Sequence, residues 1–216
     1  MKKSYEIATG PKQKCRDILC DRAEEFLSTP PKRIFTLPGV EALCIKTFRA
    51  RFPHLQNIVG IEDKPKECAK INAMGIDCDN QNVKDYVASK TAKGLPFDIV
   101  FLDFYRHMSA KMVEDIEAFI SNKNIIEPGR PLVLGLTLSK PIRHDSEEAN
   151  LLMRDNLYRG HRRDVQNTLD DVGASISNMI ACMPVEPAEV RLMDAVEYQA
   201  QEGSGMMYFF CFVITV

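Results

Sequence analysis

Asp103 closes the run Phe97-Asp98-Ile99-Val100-Phe101-Leu102-Asp103, so a carboxylate is expected at the carboxyl end of a buried strand, where open α/β sheets bind ligands. Tyr105, Arg106 and His107 follow it closely. An acid beside an aromatic ring and a cation can orient a planar acceptor or take its proton. Asp103 and Tyr105 are therefore the candidate catalytic residues, with Arg106 and His107 as candidate substrate contacts. The competing role for Asp103 is to cap the helix that follows it.

A second constellation lies between Lys32 and Glu62. Ile34, Phe35 and Leu37 form a short apolar run, Pro38-Gly39 breaks it, and Ala42, Leu43, Ile45, Phe48 and Phe52 recur at helical spacing. Ile58, Val59 and Ile61 make a second buried strand that ends at Glu62-Asp63, about twenty residues after Gly39. Such a βαβ unit offers a tight turn, the free amides of a helix N-terminus and a carboxylate for ribose hydroxyls. Leu37, Pro38, Gly39, Glu62 and Asp63 are the candidate cofactor contacts, joined by Asp79 and Asn80 on the next strand-to-helix loop. A single glycine in the turn disfavours a pyrophosphate ligand, which needs three.

Positive charge concentrates at Arg154, Arg159, His161, Arg162 and Arg163, with Arg143 and His144 before them. Arg159, Arg162 and Arg163 are candidate phosphate contacts, although Asp155 and Asp164 interrupt the run and a solvated helix face has the same composition. The whole chain does not coat nucleic acid, because 28 Lys and Arg oppose 30 Asp and Glu for a net charge of −2. Seven cysteines without CxxC spacing, mostly inside apolar segments, read as reduced core residues. Together with four histidines they show no metal-ligand spacing, so no metal is expected. Neither a GxSxG elbow nor a P-loop occurs.

The elements that must position these residues follow from the breaks in the chain. Residues 1–31 read as an irregular leader to Gly10-Pro11 and an amphipathic covering helix over Lys12–Ser28, stopped by Pro30-Pro31. Residues 32–216 read as one domain in which strands and helices alternate, with a third strand over Gly75–Asp79 and a fifth over Pro131–Leu138. Glu147–Met183 reads as long and helical, broken near Gly160 and Gly173. Val190–Gln199 and Met206–Val216 flank a glycine-containing loop and predict an antiparallel hairpin. The expected fold is α/β, a doubly wound, mostly parallel sheet with helices on both faces and a C-terminal antiparallel hairpin. No apolar stretch has the length of a signal peptide or membrane span, so a soluble cytoplasmic protein is expected.

This order of elements resembles the Rossmann-like S-adenosylmethionine-dependent methyltransferases over nearly the whole chain. On that resemblance Phe35-Thr36-Leu37-Pro38-Gly39 falls on the glycine-rich first motif and Glu62 on the acid that holds the ribose hydroxyls. Asp79 and Asn80 fall on the adenine contacts, and Asp103-Phe104-Tyr105-Arg106 on the fourth-strand motif beside the methyl acceptor. The resemblance implies S-adenosylmethionine as cofactor and methyl transfer as activity. The acceptor is expected to be nucleic acid rather than a small molecule, gripped through Arg154 to Arg163. The chain departs from the family at Thr36 or Leu37, where an acid is usual, at Glu41, which replaces a glycine, and after Asp103, where no Pro-Pro follows. These departures favour the alternative of a methyltransferase-like fold without catalysis that serves as a binding or assembly module. A nucleotide- or NAD-dependent enzyme is a third reading.

Overall fold

The computed structural model describes residues 10–39, 41–89, 96–104, 109–122, 125–140, 169–182, 189–199 and 205–215. Helix α1 (Gly10–Phe26) is followed by β1 (Arg33–Thr36), α2 (Leu43–Arg51), β2 (Asn57–Ile61), α3 (Pro65–Ala73), β3 (Cys78–Asp79) and α4 (Val83–Ala88). Then come β4 (Ile99–Asp103), α5 (Ala110–Ile120), β5 (Leu132–Ser139), α6 (Leu169–Ala181), β6 (Glu189–Gln199) and β7 (Met206–Thr215). The seven strands form one sheet in the order β3-β2-β1-β4-β5-β7-β6. The first five are parallel, and β7 enters antiparallel between β5 and β6. The expected architecture is therefore present, including the closing hairpin.

Three boundaries differ from expectation for identifiable reasons. Pro11 lies in the first turn of α1, where a missing N–H removes no helical bond, so Gly10-Pro11 belongs to the helix and not to the leader. Ala42 is not the first helical residue of α2 but its N-cap, held left-handed at φ 48°. The third strand is only Cys78–Asp79, because Gly75, at φ 72°, ends the turn after α3 in the left-handed region. Of the expected long helix only Leu169–Ala181 falls within the described residues. Residues 141–168 and the hairpin loop 200–204 lie outside them.

Side chains alternate across the sheet, so each strand feeds two cores. Phe35, Val100, Leu102, Leu134 and Phe210 face α4, α5 and α6, with the Phe35 ring 4.4 Å from that of Phe119. Ile34, Ile99, Phe101, Val133 and Phe209 face α1, α2 and α3. Helix α1 seats closely because Gly135 on β5 has no side chain; a Cβ there would lie 2.7 Å from Leu19 Cδ2. At the amino edge, Asp98 accepts from the backbone amides of Lys32 (2.6 Å) and Arg33 (2.9 Å) and pairs with Arg130. This staples β1 to β4 at the end opposite the candidate site.

Candidate functional site at the carboxyl edge

The loop after β1 is bonded to β4 and packs on β2, while the loops after β2 and β3 are tied to each other by backbone and amide bonds. Leu37 N donates to Phe101 O (3.2 Å), which carries the turn at Pro38-Gly39 over β4. The buried ring of Pro38 lies against Gly60 on β2, where a Cβ would come within 2.8 Å of Pro38 Cγ. Ala42 N closes the turn on Gly39 O at 2.9 Å. Ala42 takes the left-handed backbone that glycine adopts without a Cβ penalty, a local strain of about 1–2 kcal/mol. Glu41, beside it, is exposed.

Glu62 follows β2 directly, and its amide donates to Asp79 O (3.1 Å), the last residue of β3. Asn80 Nδ2 donates to Glu62 O at 2.8 Å. The half-buried Glu62 carboxylate accepts from Lys64 N at 2.9 Å through Oε1. Burial lifts its pKa to about 7, with Asp63 and Glu67 adding to the rise and the Lys64 amide opposing it. Asp63 is exposed, and Asp79 is partly buried. Leu37, Pro38, Gly39, Glu62, Asp63, Asp79 and Asn80 thus share the carboxyl edge of β1, β2 and β3.

Asp103 ends β4 on the same edge but on the face covered by α1. Its Oδ2 lies 3.0 Å from Lys12 Nζ, and its Oδ1 accepts from Thr137 Oγ1 on β5. Both ends of the ion pair are buried, Lys12 at 4% and Asp103 at 8% side-chain exposure. Cys15, Arg16, Phe101 and Tyr198 complete the surroundings and leave only a shallow crevice. Burial, and then the Asp103 charge, push the Cys15 thiol up to about 12, so it is neutral near pH 7.

Lys12, Arg16, Thr137 and Tyr198 were not among the residues singled out by sequence. The available signal was the spacing Lys12, Arg16, Leu19 and Ala23, a single helical stripe whose first two members are cations. Tyr105, Arg106, His107, Arg159, Arg162 and Arg163 lie outside the described residues. Six of the seven cysteines are buried and Cys182 is exposed, all as free thiols. Among the described residues no cluster of His, Cys, Asp or Glu could hold a metal ion. Nor is any helix there long and apolar enough to cross a membrane.

The strand order and the closing antiparallel hairpin define the fold of the Rossmann-like S-adenosylmethionine-dependent methyltransferases. Solved structures with this architecture include the N-methyltransferase NodS from Bradyrhizobium japonicum, 13% identical, with a TM-score of 0.54 over 97% of this chain and 100% of that one. An O-methyltransferase from Bacillus cereus, solved in complex with SAH, is 12% identical with a TM-score of 0.53 over 97% of this chain and 83% of its own. An rRNA methylase from Streptococcus thermophilus is 10% identical with a TM-score of 0.51 over 98% and 100%. No family model matches the sequence, and no curated protein matches it. At such identities the likeness is one of fold.

Proposed function

We propose that this chain binds S-adenosylmethionine along the carboxyl edge of β1, β2 and β3 and is a methyltransferase. The observation that carries this reading is Glu62. A half-buried carboxylate ends a parallel strand, bonded on its side chain to the Lys64 amide, beside a tight turn and the loop after β3. A buried acid of this kind gains from hydroxyl donors, which return the stabilisation that burial removes. Glu62 would take the ribose hydroxyls, the Leu37-Pro38-Gly39 turn would border the nucleoside, and Asp79 and Asn80 would border the base. When bound, the cofactor supplies a sulfonium-activated methyl group. Calorimetric titration with S-adenosylmethionine, S-adenosylhomocysteine and NAD tests the reading. Binding of the first two, weakened by about 1.5–3 kcal/mol in Glu62→Ala with little change in melting temperature, is expected. Binding of NAD alone would overturn it.

The acceptor we assign is nucleic acid. The run Arg154 to Arg163 supports this by charge and spacing, since clustered arginines neutralise phosphates and release counterions. Binding to RNA or DNA should weaken with salt, and Arg162→Ala should lower the salt slope by about 1. Affinity independent of salt would argue for a small-molecule acceptor.

A second reading, a binding or assembly module without catalysis, is favoured by one observation. Lys12 and Thr137 hold the two oxygens of Asp103 that an acceptor amine or hydroxyl would need. Retained S-adenosylmethionine binding with no methyl transfer to RNA, DNA or protein pools would select it.

A further inference from the structure

Positive charge also collects on the solvent side of α2 and α3. From Ala42 to Ile61 the chain has no carboxylate, yet it carries Lys46, Arg49, Arg51 and His54. Arg51 turns to α1, where Asp21 and Glu24 pair with it. Lys46 and Arg49 are exposed and bond no carboxylate among the described residues. On α3 the one acid, Glu67, is paired with Lys64, and the exposed Lys66 and Lys70 have no such partner there.

The topology brings these four cations together. Helix α2 crosses from β1 to β2 and α3 from β2 to β3, and Ile45 and Phe48 of one share a core with Cys68 and Ile71 of the other. The two helices are therefore neighbours on one face of the sheet, with axes about 8–10 Å apart. Along the axes, Lys46 and Arg49 are separated by about 4.5 Å of rise, and Lys66 and Lys70 by about 6 Å. Arg49 and Lys70 suit the last turns of their helices. Lys46 and Lys66 lie in the first turns, where the helix dipole disfavours a cation, and like charges three or four residues apart repel. Local structure gives no reason for this arrangement, whereas an anionic partner does. Phe48 and the α2 C-cap Phe52 are buried, so no phenylalanine or tyrosine of these helices is offered to unpaired bases. Point cations on rigid helices fit phosphates held at fixed spacing.

We propose that the outer face of α2 and α3 docks the phosphate backbone of a nucleic-acid duplex through Lys46, Arg49, Lys66 and Lys70. This goes beyond the function proposed above, because it requires neither the cofactor nor Arg154 to Arg163. It places a sequence-independent grip on the helices that begin at the carboxyl edge, so a duplex held there lies next to the Glu62 end of that edge.

The test measures fluorescence anisotropy of a random-sequence duplex, in RNA and in DNA form, with the full chain across a salt series. Each phosphate neutralised adds about 0.9 to the slope of log affinity against log salt, so the four cations together supply about 3 to 4. Replacing all four by Gln should remove that much slope and weaken binding roughly tenfold or more at about 0.1 M salt. All four side chains are exposed, so the melting temperature should stay near that of wild type. A control variant that replaces the exposed Lys32, Lys84, Lys111 and Arg191 by Gln changes the net charge equally and should keep the slope. An unchanged slope in the first variant overturns the inference, as does an equal loss in the control or tighter binding of single strands than of duplex. Wild type that binds no duplex overturns this surface and the nucleic-acid acceptor together. Duplex binding through these four residues without methyl transfer supports the surface and counts only against catalysis.

Discussion

Lys12 Nζ and Asp103 Oδ2 meet at 3.0 Å across 91 residues of chain, joining the first turns of α1 to the carboxyl end of the central strand β4. Both side chains are removed from water, so each depends on the other for its charge to be tolerated. Lys12→Met should cost about 3–5 kcal/mol in chemical denaturation. The double variant Lys12→Met with Asp103→Asn should recover much of that loss. A single variant as stable as wild type would show that Asp103 finds another cation.

Glu62 makes stability depend on pH and, on the proposed reading, cofactor binding as well. Its pKa is lifted by burial to about 7 from an ordinary value of 4.5, so between those values the folded chain holds a proton that the unfolded chain has lost. Stability from this group therefore falls as pH rises from about 4.5 to 7, by an order of 1 kcal/mol once solvent screening is counted. Glu62→Gln should flatten that slope in melts taken across the window. Ribose hydroxyls favour the charged carboxylate, so S-adenosylmethionine affinity should rise with pH up to about 7 and then level off. An affinity that falls over this range would exclude Glu62 as the acceptor.

Gly135→Ala tests whether α1 is seated by contact. The new methyl group would lie 2.7 Å from Leu19 Cδ2 and 3.0 Å from Phe101 Cδ2, inside a packed core. Overpacking of this kind costs about 1–3 kcal/mol. Because Lys12 rides on the same helix, protection of α1 amides in hydrogen exchange should fall with it. Unchanged protection would mean that Leu19 alone gives way.

Gly60→Ala acts on the other half of the edge. Its methyl group would press on Pro38 Cγ at 2.8 Å and displace the turn from β2. S-adenosylmethionine affinity should drop by about tenfold or more while β1 and β2 stay paired. Loss of fold without loss of affinity per folded molecule would contradict the role of that turn.

The order of elements was legible because most apolar runs are bounded by Pro, Gly or Asn, and Pro30-Pro31, Gly75 and Asn82 punctuate the chain where the elements change. The positions of Glu62, Asp79 and Asp103 on one edge follow from that order, since every parallel strand delivers its carboxyl end to the same side. What could not be read is which partner each acid takes. Lys12 and Arg16 look like solvent-facing charges in a linear pattern, because long cations are seldom buried. Ala42 shows no sign in its type of a left-handed backbone, and Asp98 resembles one more polar residue at a strand start until the amides of Lys32 and Arg33 converge on it. These are facts about residues far apart in sequence, and local periodicity carries none of them.

Helix α1 leaves the ribosome before every strand it rests on. Leu19 packs against Gly135 of β5, Arg22 Nε pairs with Asp194 of β6 at 2.7 Å, and Cys15, Leu19, Cys20 and Ala23 share a core with Met207, Phe209 and Cys211 of β7. A nascent chain therefore carries the apolar face of α1 uncovered through most of its synthesis, with Lys12 and Arg16 still hydrated. Docking waits on contacts of high sequence separation, which form late and slowly. A premature stop within β7 would thus strand the first helix as well as the last strand.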